Sequence, residues 1–325
     1  MPIHSSTFKP PRLLRSPHLQ TIVPALLRKQ RPPPMNRSWI ELPDGDALEI
    51  ALTPRLHARL AIISHGLEGS MSSSYVIGMV RALRHAGWDV LTWNMRGCGG
   101  TPNRLPTWYH SGKSEDLRAI LEHALSFNHD EIALVGFSVG GNITLKYLGE
   151  NGACVPDRVR KAVAISVPMD LRGSAEQLAL PRNRIYMEYL LKPLRARIKH
   201  KAMHYPELFS IKGLSAITTF KEFDERFTAP FHGFSSVDHY WDDSSSLKYL
   251  TGITIPTLAI TALDDPFLSA TCIPHVIAET LPMFQLETSE HGGHVGFLNS
   301  YSLASTWAEA RTVSFMRGSE ESLVY

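Results

Sequence analysis

The sequence has few cysteines and no long apolar run. Only three of its 325 residues are cysteine (Cys98, Cys154 and Cys272), an odd number without the spacing of metal ligands. This usage argues against a disulfide framework and favours a reducing compartment. No stretch approaches the roughly 18 apolar residues of a transmembrane helix, and the basic N-terminus lacks the apolar segment of a secretory signal. We therefore expect a cytoplasmic protein without stable membrane insertion.

Excess charge of either sign is also missing. The formal net charge is +2, and the aromatic residues, 9% of the chain, are spread along it rather than grouped on a basic stripe. This composition argues against a nucleic-acid partner. The sequence shows no set of metal ligands and no motif that requires a cofactor, so we expect neither. It does not indicate an oligomeric state.

Alternating strand and helix patterns run through most of the chain and predict one α/β domain with a mostly parallel sheet flanked by helices. Short, nearly continuous apolar runs are typical of parallel strands covered on both faces. The predicted strands are 59–64, 88–93, 131–136, 160–166, 256–262 and 284–288, preceded by a hairpin at 39–52. The predicted helices are 74–86, 114–127, 139–149, 270–279 and 302–316. Residues 1–38, rich in proline and arginine, are interpreted as an irregular N-terminal arm lying on the domain of residues 39–325.

The alternation stops between about residues 170 and 245, where the pattern is helical and rich in apolar side chains. Phe220, Phe223 and Phe227 follow the spacing of one helical face. Two interpretations are compatible: extra core helices, or a helical cap over a binding site. The basic residues Lys192, Arg195, Arg197, Lys199 and Lys201 are interpreted as a solvated face, with attraction to an anionic membrane as the less favoured alternative.

A candidate nucleophile lies between a predicted strand and a predicted helix, in Gly136-Phe137-Ser138-Val139-Gly140-Gly141. In that context G-x-S-x-G predicts a sharp, strained turn that exposes the serine hydroxyl, because a side chain two residues on either side would collide with the turn. We therefore predict Ser138 as a catalytic nucleophile, which needs a base to take its proton.

The acid and the base of such sites follow the serine in that order. Asp264-Asp265 closes a predicted strand, and His291-Gly292-Gly293-His294 follows the last one. We favour Asp265, which lies further past its strand, and His294, whose loop can bend back at the two glycines. Asp264 is expected to brace the loop, and His291 to be structural.

Charge that develops on a substrate carbonyl needs preorganised donors. The first predicted donor is the backbone N–H of Val139, directly after the serine. The second is the N–H of Leu67, in the loop His65-Gly66-Leu67-Glu68-Gly69. His65 is expected to order this loop rather than to act as a base. No particular substrate-binding side chain is indicated.

The chain resembles the YheT-like esterases, the fourth family of AB hydrolases, over nearly its whole length. The matching motifs include Ser16-Pro17-His18-Leu19-Gln20-Thr21, His65-Gly66-Leu67-Glu68-Gly69-Ser70, Tyr109-His110-Ser111-Gly112, Gly136 to Asn142, Asp264-Asp265-Pro266-Phe267 and Glu290 to Phe297. The resemblance implies the α/β-hydrolase fold with a helical cap and a triad of Ser138, Asp265 and His294.

Together these observations predict a serine hydrolase that cleaves small carboxylic esters through an acyl-enzyme, without a cofactor. Short and medium acyl chains are expected, with a decline for long ones, because the resemblance suggests esters rather than water-insoluble fats and the sequence shows no secretion signal. An acyltransferase or thioesterase with the same triad is the alternative, and a non-catalytic binding protein of the same fold is the less favoured one.

Overall fold

A nine-stranded sheet forms the centre of the computed structural model, which describes residues 3–318. The strand order is β1-β9-β8-β7-β6-β4-β5-β3-β2, in which the β2–β3 and β3–β5 pairs are antiparallel and the other pairs are parallel. The strands are β1 Ile3–Ser5, β2 Asn36–Glu41, β3 Ala47–Leu52, β4 Arg59–Ser64, β5 Asp89–Trp93, β6 Glu131–Phe137, β7 Val159–Ile165, β8 Thr257–Ala262 and β9 Phe284–Ser289. The predicted α/β fold with a mostly parallel sheet is confirmed.

Alternate side chains of the central strands enter two separate cores, one on each face of the sheet. Leu60 and Ile62 of β4 belong to one core, and Ala61 and Ile63 belong to the other. Because both faces are covered, the strands read as continuous apolar runs rather than as alternating patterns. Burial of each large aliphatic side chain contributes about 1.5–3 kcal/mol relative to exposure.

Eleven α-helices occur within residues 3–318: α1 Pro17–Leu27, α2 Ser74–His85, α3 Ser114–Leu125, α4 Val139–Asn151, α5 Leu171–Ala179, α6 Arg184–His204, α7 Phe220–Phe223, α8 Ala229–Phe231, α9 Val237–Ser244, α10 His275–Thr280 and α11 Trp307–Arg317. Short 3₁₀ turns lie at Arg12–Leu14, Gly152–Cys154, Pro181–Asn183, Leu214–Ala216, Ser246–Gly252 and Ala270–Cys272. No helix in this part of the chain is long and apolar enough to cross a membrane.

Two predicted helices have clearly different bounds in the structure, whereas the other three differ by one or two residues at their C-terminal ends. The predicted helix 270–279 is divided into a 3₁₀ turn and α10, because Pro274 lies between them and has no N–H to donate. The helix predicted from residue 302 begins at Trp307, where Thr306 and Glu309 form a reciprocal capping box.

The N-terminal segment is more regular than predicted. Residues 3–5 add β1 to the sheet edge beside β9, and Pro17–Leu27 forms a helix of about three turns. The stretch around Pro32-Pro33-Pro34 lacks regular structure, as expected from the missing N–H groups. The outer ends of the predicted arm and of the predicted domain, residues 1–2 and 319–325, lie outside the described residues.

The chain leaves the sheet after β7 and returns at β8. The helical insertion between them, residues 171–252, has a small core of its own that includes Leu171, Tyr240 and Trp241. Phe220–Phe223 and Ala229–Phe231 are separated by a π-helical turn at Asp224–Thr228. Phe223 and Phe227 stay neighbours across this turn: both are buried in one core, with ring centroids 5.4 Å apart. Phe220 and Phe223 also line a cavity beside Ser138.

Candidate active site

Ser138 lies on a strained turn between β6 and α4, with φ 52° and ψ −121°. The turn leaves no room for side chains at its glycines. A Cβ on Gly136 would lie 2.5 Å from the carbonyl oxygen of Gly140, and one on Gly140 would overlap the backbone of Ser64 and His65. A non-glycine residue is costly at this φ and persists only where its surroundings hold it. The strain at Ser138 therefore indicates a functional position.

The structure brings Ser138, His294 and Asp265 together at the carboxyl edge of the sheet. Ser138 Oγ lies 3.0 Å from His294 Nε2. The other ring nitrogen, Nδ1, lies 2.9 Å from Asp265 Oδ2. Asp265 is buried and also accepts a hydrogen bond of 2.8 Å from the backbone N–H of Phe267, whose ring stacks on the His294 ring. The imidazole is thus held on its face and at both nitrogens.

Asp264 and His291, the neighbours of Asp265 and His294 in the sequence, contact each other instead. Asp264 accepts a hydrogen bond of 2.9 Å from the Gly293 N–H, and its other oxygen lies 3.3 Å from His291 Nδ1. Burial raises the pKa of Asp264. Asp264 and His291 therefore link the loop after β8 to the loop after β9, beside the contacts of Ser138, His294 and Asp265.

The loop that carries His294 is held by α1, a contact that the sequence did not predict. The Thr21 hydroxyl accepts a hydrogen bond from the His294 N–H. Gln20 is fully buried and exchanges hydrogen bonds with the backbone of Leu298 through both ends of its amide. A Cβ on Gly293 would lie 2.5 Å from the Pro17 carbonyl oxygen. The motif Ser16 to Thr21 was the available signal, but nothing local linked it to a loop at the far end of the chain.

The loop after β4 lies against Ser138. A Cβ on Gly66 would lie 3.1 Å from the Cβ of Ser138. His65 accepts a hydrogen bond from the Met95 N–H at Nε2, while Nδ1 contacts the Gly66 carbonyl. Burial lowers the pKa of His65 to about 4. A neutral His65 with both nitrogens bonded orders this loop.

The N–H groups of Leu67 and Val139 have no protein acceptor within residues 3–318. Val139 is the first residue of α4, where helix N–H groups have no partner inside the helix. Both residues line the same cavity as Ser138. The positive end of the α4 dipole also favours negative charge at this point.

A buried ion pair connects this loop to the helical insertion. Arg197 of α6 contacts Glu68 at 2.7 Å, and the two side chains are 8% and 9% exposed. Tyr109 donates to the same carboxylate oxygen and accepts from the Glu68 N–H, at 2.8 Å and 2.9 Å. Glu68 itself has a φ of 51°. Arg197 and Tyr109 therefore hold a strained loop residue next to Leu67.

Two members of the predicted solvated basic face turn inward instead. One is Arg197, and the other is Lys201, which is buried and donates hydrogen bonds to Asn103 and to the Leu105 carbonyl. Burial lowers the pKa of Lys201 to about 8. The prediction of a solvated face was wrong at these two positions, because both side chains satisfy loop oxygens that the sequence pattern does not reveal.

A cavity of about 810 Å³ opens beside Ser138. Its walls are mainly apolar and come from the sheet edge, from α1 and from the insertion, including Leu171, Leu190 and Phe223. One wall carries Asp224, which accepts hydrogen bonds from Thr228 and Trp241. Burial raises the pKa of Asp224 to about 6. Among the described residues, no group of three or more His, Cys, Asp and Glu is arranged to hold a metal ion.

Known proteins are similar to this chain in sequence and in fold. The family model described as "alpha/beta hydrolase fold" matches residues 62–301. The Escherichia coli (strain K12) protein named "Putative esterase YheT" is 36% identical over 316 residues, which cover 94% of this chain and 92% of that protein. Mouse Phospholipase ABHD3 is 31% identical over 235 residues. These residues cover 72% of this chain and 57% of that longer protein.

Among solved structures, the Pyrococcus furiosus esterase Pf2001 superposes with a TM-score of 0.59 at 17% identity. The superposition covers 97% of this chain and 98% of the esterase. At that identity the likeness concerns the fold alone. The family match and the relative of nearly equal length show more: the chain is an α/β hydrolase and belongs with the YheT-like esterases.

Proposed function

We propose that the protein hydrolyses carboxylic esters by two-step acyl transfer, with Ser138 as nucleophile, His294 as base and Asp265 as the acid that orients it. The observation that carries the proposal is the continuous chain of contacts from Ser138 Oγ to His294 Nε2 and from His294 Nδ1 to Asp265. His294 takes the serine proton as Oγ attacks the carbonyl carbon, and Asp265 stabilises the resulting imidazolium.

The tetrahedral intermediate would place its oxyanion on the backbone N–H groups of Leu67 and Val139. Two such donors, fixed before the reaction begins, stabilise charge that exists only in the transition state. His294 then returns the proton to the leaving alcohol. Water next attacks the acyl-enzyme while His294 takes its proton, and His294 returns a proton to Ser138 Oγ as the acid is released. Apart from the attacking water, side chains and backbone amides supply every group that this chemistry uses.

The apolar walls of the cavity favour an acyl chain over a polar substituent. We expect kcat/KM on nitrophenyl esters to rise roughly fourfold per methylene from acetate, since each buried methylene contributes about 0.8 kcal/mol. The rise should end at medium chain length, when the cavity is full. A panel from acetate to palmitate measures it, with a matched thioester to test the thioesterase alternative.

Product analysis on the same panel distinguishes hydrolysis from transfer. Release of free acid at the full rate with water as the acceptor supports a hydrolase. A rate that depends on an added alcohol would favour an acyltransferase instead. A specificity that is flat from acetate to palmitate would contradict a bounded apolar acyl site.

The pair of Arg197 and Glu68 gives a further prediction. Replacing Arg197 with methionine should lower kcat by about tenfold to a hundredfold, less than the loss of an oxyanion donor, because the Leu67 amide is displaced rather than removed. The protein should also lose stability, since Glu68 is left buried without its partner. Steady-state kinetics and thermal unfolding measure the two effects.

The double variant Glu68→Gln with Arg197→Met separates positioning from stability. It removes the unpaired charge, so the melting temperature should recover while kcat stays low. Lys199→Met, at an exposed position on the same helix, is the matched control. A wild-type kcat in folded Arg197→Met protein would show that the ion pair has no part in holding the loop.

A further inference from the structure

The open side of the cavity is bordered by apolar side chains that face solvent. Ile22 and Leu26 of α1 are 36% and 63% exposed, and Ile185 and Tyr189 of α6 are 78% and 69% exposed. All four also line the cavity that contains Ser138. We call these four residues the mouth rim. Contiguous exposed apolar surface of this kind marks an interaction site rather than ordinary surface.

The two helices that form the mouth rim are fixed to each other. His18 of α1 lies 2.8 Å from the Tyr186 hydroxyl of α6, and the two rings stack. Ile22 and Leu26 are four residues apart, and so are Ile185 and Tyr189. Each pair therefore lies on one face of its helix. The mouth rim is thus a surface presented by two braced helices.

The exposed charges that flank the two helices of the mouth rim are mostly positive. Arg12 and Arg15 before α1 and Lys29 after it are exposed and form no ion pair within residues 3–318, whereas Arg28 is buried against Glu309. On α6 the acidic side chain beside the mouth rim is Glu188, which forms an ion pair with Arg195. Arg184 and Lys192 remain exposed without an ion pair within residues 3–318.

We propose that the mouth rim docks on a lipid bilayer with anionic headgroups, so that the cavity opens directly onto the membrane surface. The apolar side chains would enter the boundary between headgroups and acyl chains, and the surrounding cations would meet lipid phosphates. A second copy of the chain is a poorer occupant, because a symmetric contact would bring like charges face to face. Docking concerns binding alone, so it does not depend on the proposed hydrolysis.

The test measures binding of the full-length Ser138→Ala protein to vesicles, since this variant would leave the lipids intact. Vesicles of phosphatidylcholine alone are compared with vesicles that also contain phosphatidylglycerol, by co-sedimentation at low and high salt. We expect the partition coefficient to be at least about tenfold higher on the anionic vesicles. High salt should reduce this difference, because it screens surface charge.

Substitutions then separate the apolar and the electrostatic contributions. Ile185→Ser and Leu26→Ser should each lower the partition coefficient about tenfold, and Lys192→Glu several-fold. Val276→Ser is the matched control: Val276 lies on α10, away from the cavity lining, and is as exposed as Ile185, at 78%. It should bind like the parent protein.

Three results would overturn the proposal. One is equal partition onto neutral and anionic vesicles, and another is the same loss from Val276→Ser as from Ile185→Ser. The third is a wild-type dimer in light scattering that Ile185→Ser dissociates, because the mouth rim would then be covered by a second copy. Each measurement is independent of ester turnover, so failure of docking and failure of catalysis are told apart.

Discussion

Replacing Ser138 with alanine is expected to lower ester turnover by about six orders of magnitude, the scale of removing a nucleophile from such a site. Without Oγ there is nothing for His294 to deprotonate and no acyl-enzyme to form. The alanine keeps a Cβ, so the backbone at φ 52° is held by the same contacts and the fold should be unchanged. Burst and steady-state kinetics on a nitrophenyl ester measure the loss.

Covalent labelling gives an independent measurement of the same residue. A fluorophosphonate probe should label the parent protein at Ser138 and leave Ser138→Ala unlabelled. Ser111 is the matched control, because it lines the same cavity but is not in contact with His294. Ser111→Ala should label normally. Labelling that survives in Ser138→Ala would show that another residue is the nucleophile.

The central strands were predictable because the signal that specifies them is local. Runs such as residues 59–64 and 131–136 are buried on both faces, so every position favours an apolar residue. The turn at Ser138 was predictable for the same reason: the steric conflict at Gly136 and Gly140 arises within a few residues of the serine. Where the local sequence and the long-range packing favour the same structure, the sequence pattern is sufficient to predict that structure.

The N-terminal segment was not predictable in this way, since its structure depends on distant partners. Three residues form β1 only because β9 offers an open edge. Helix α1 contains Pro24 in its interior, which disfavours a helix on local grounds. It is stabilised by Gln20 and Thr21, which bond the loop that carries His294. Such contacts leave no periodic trace in the sequence.

The roles of the residues in the pairs Asp264 with Asp265 and His291 with His294 depend on loop geometry. No periodic pattern in the sequence reveals that geometry. Asp265 and His294 were predicted from their places in the loops, and the structure puts these two residues in line with Ser138. Their catalytic roles are what substitutions must test. The inward turn of Arg197 and Lys201 shows the limit of such arguments, because charge alone does not say which side chains face solvent.

Substitution of Asp265 by asparagine should lower kcat about ten-thousand-fold, whereas Asp264→Asn should cost about tenfold or less. The Phe267 N–H would hold the oxygen of the new amide at position 265, which turns its NH₂ toward His294 Nδ1. The ring would then carry its proton on Nε2 and could not accept one from Ser138. The amide introduced by Asp264→Asn, in contrast, can still accept from the Gly293 N–H with its oxygen.

The histidines complete the comparison. His294→Ala should lower kcat by about six orders of magnitude, as does loss of the base in comparable sites, because the serine is left without a proton acceptor. His291→Ala removes only a contact to Asp264 and should lower kcat by about tenfold or less. Kinetics on all four variants, with circular dichroism to verify folding, measures both pairs. A larger loss from Asp264→Asn or His291→Ala than from its neighbour would require the proton path to run through the other pair, against the 3.0 Å contact between Ser138 Oγ and His294 Nε2.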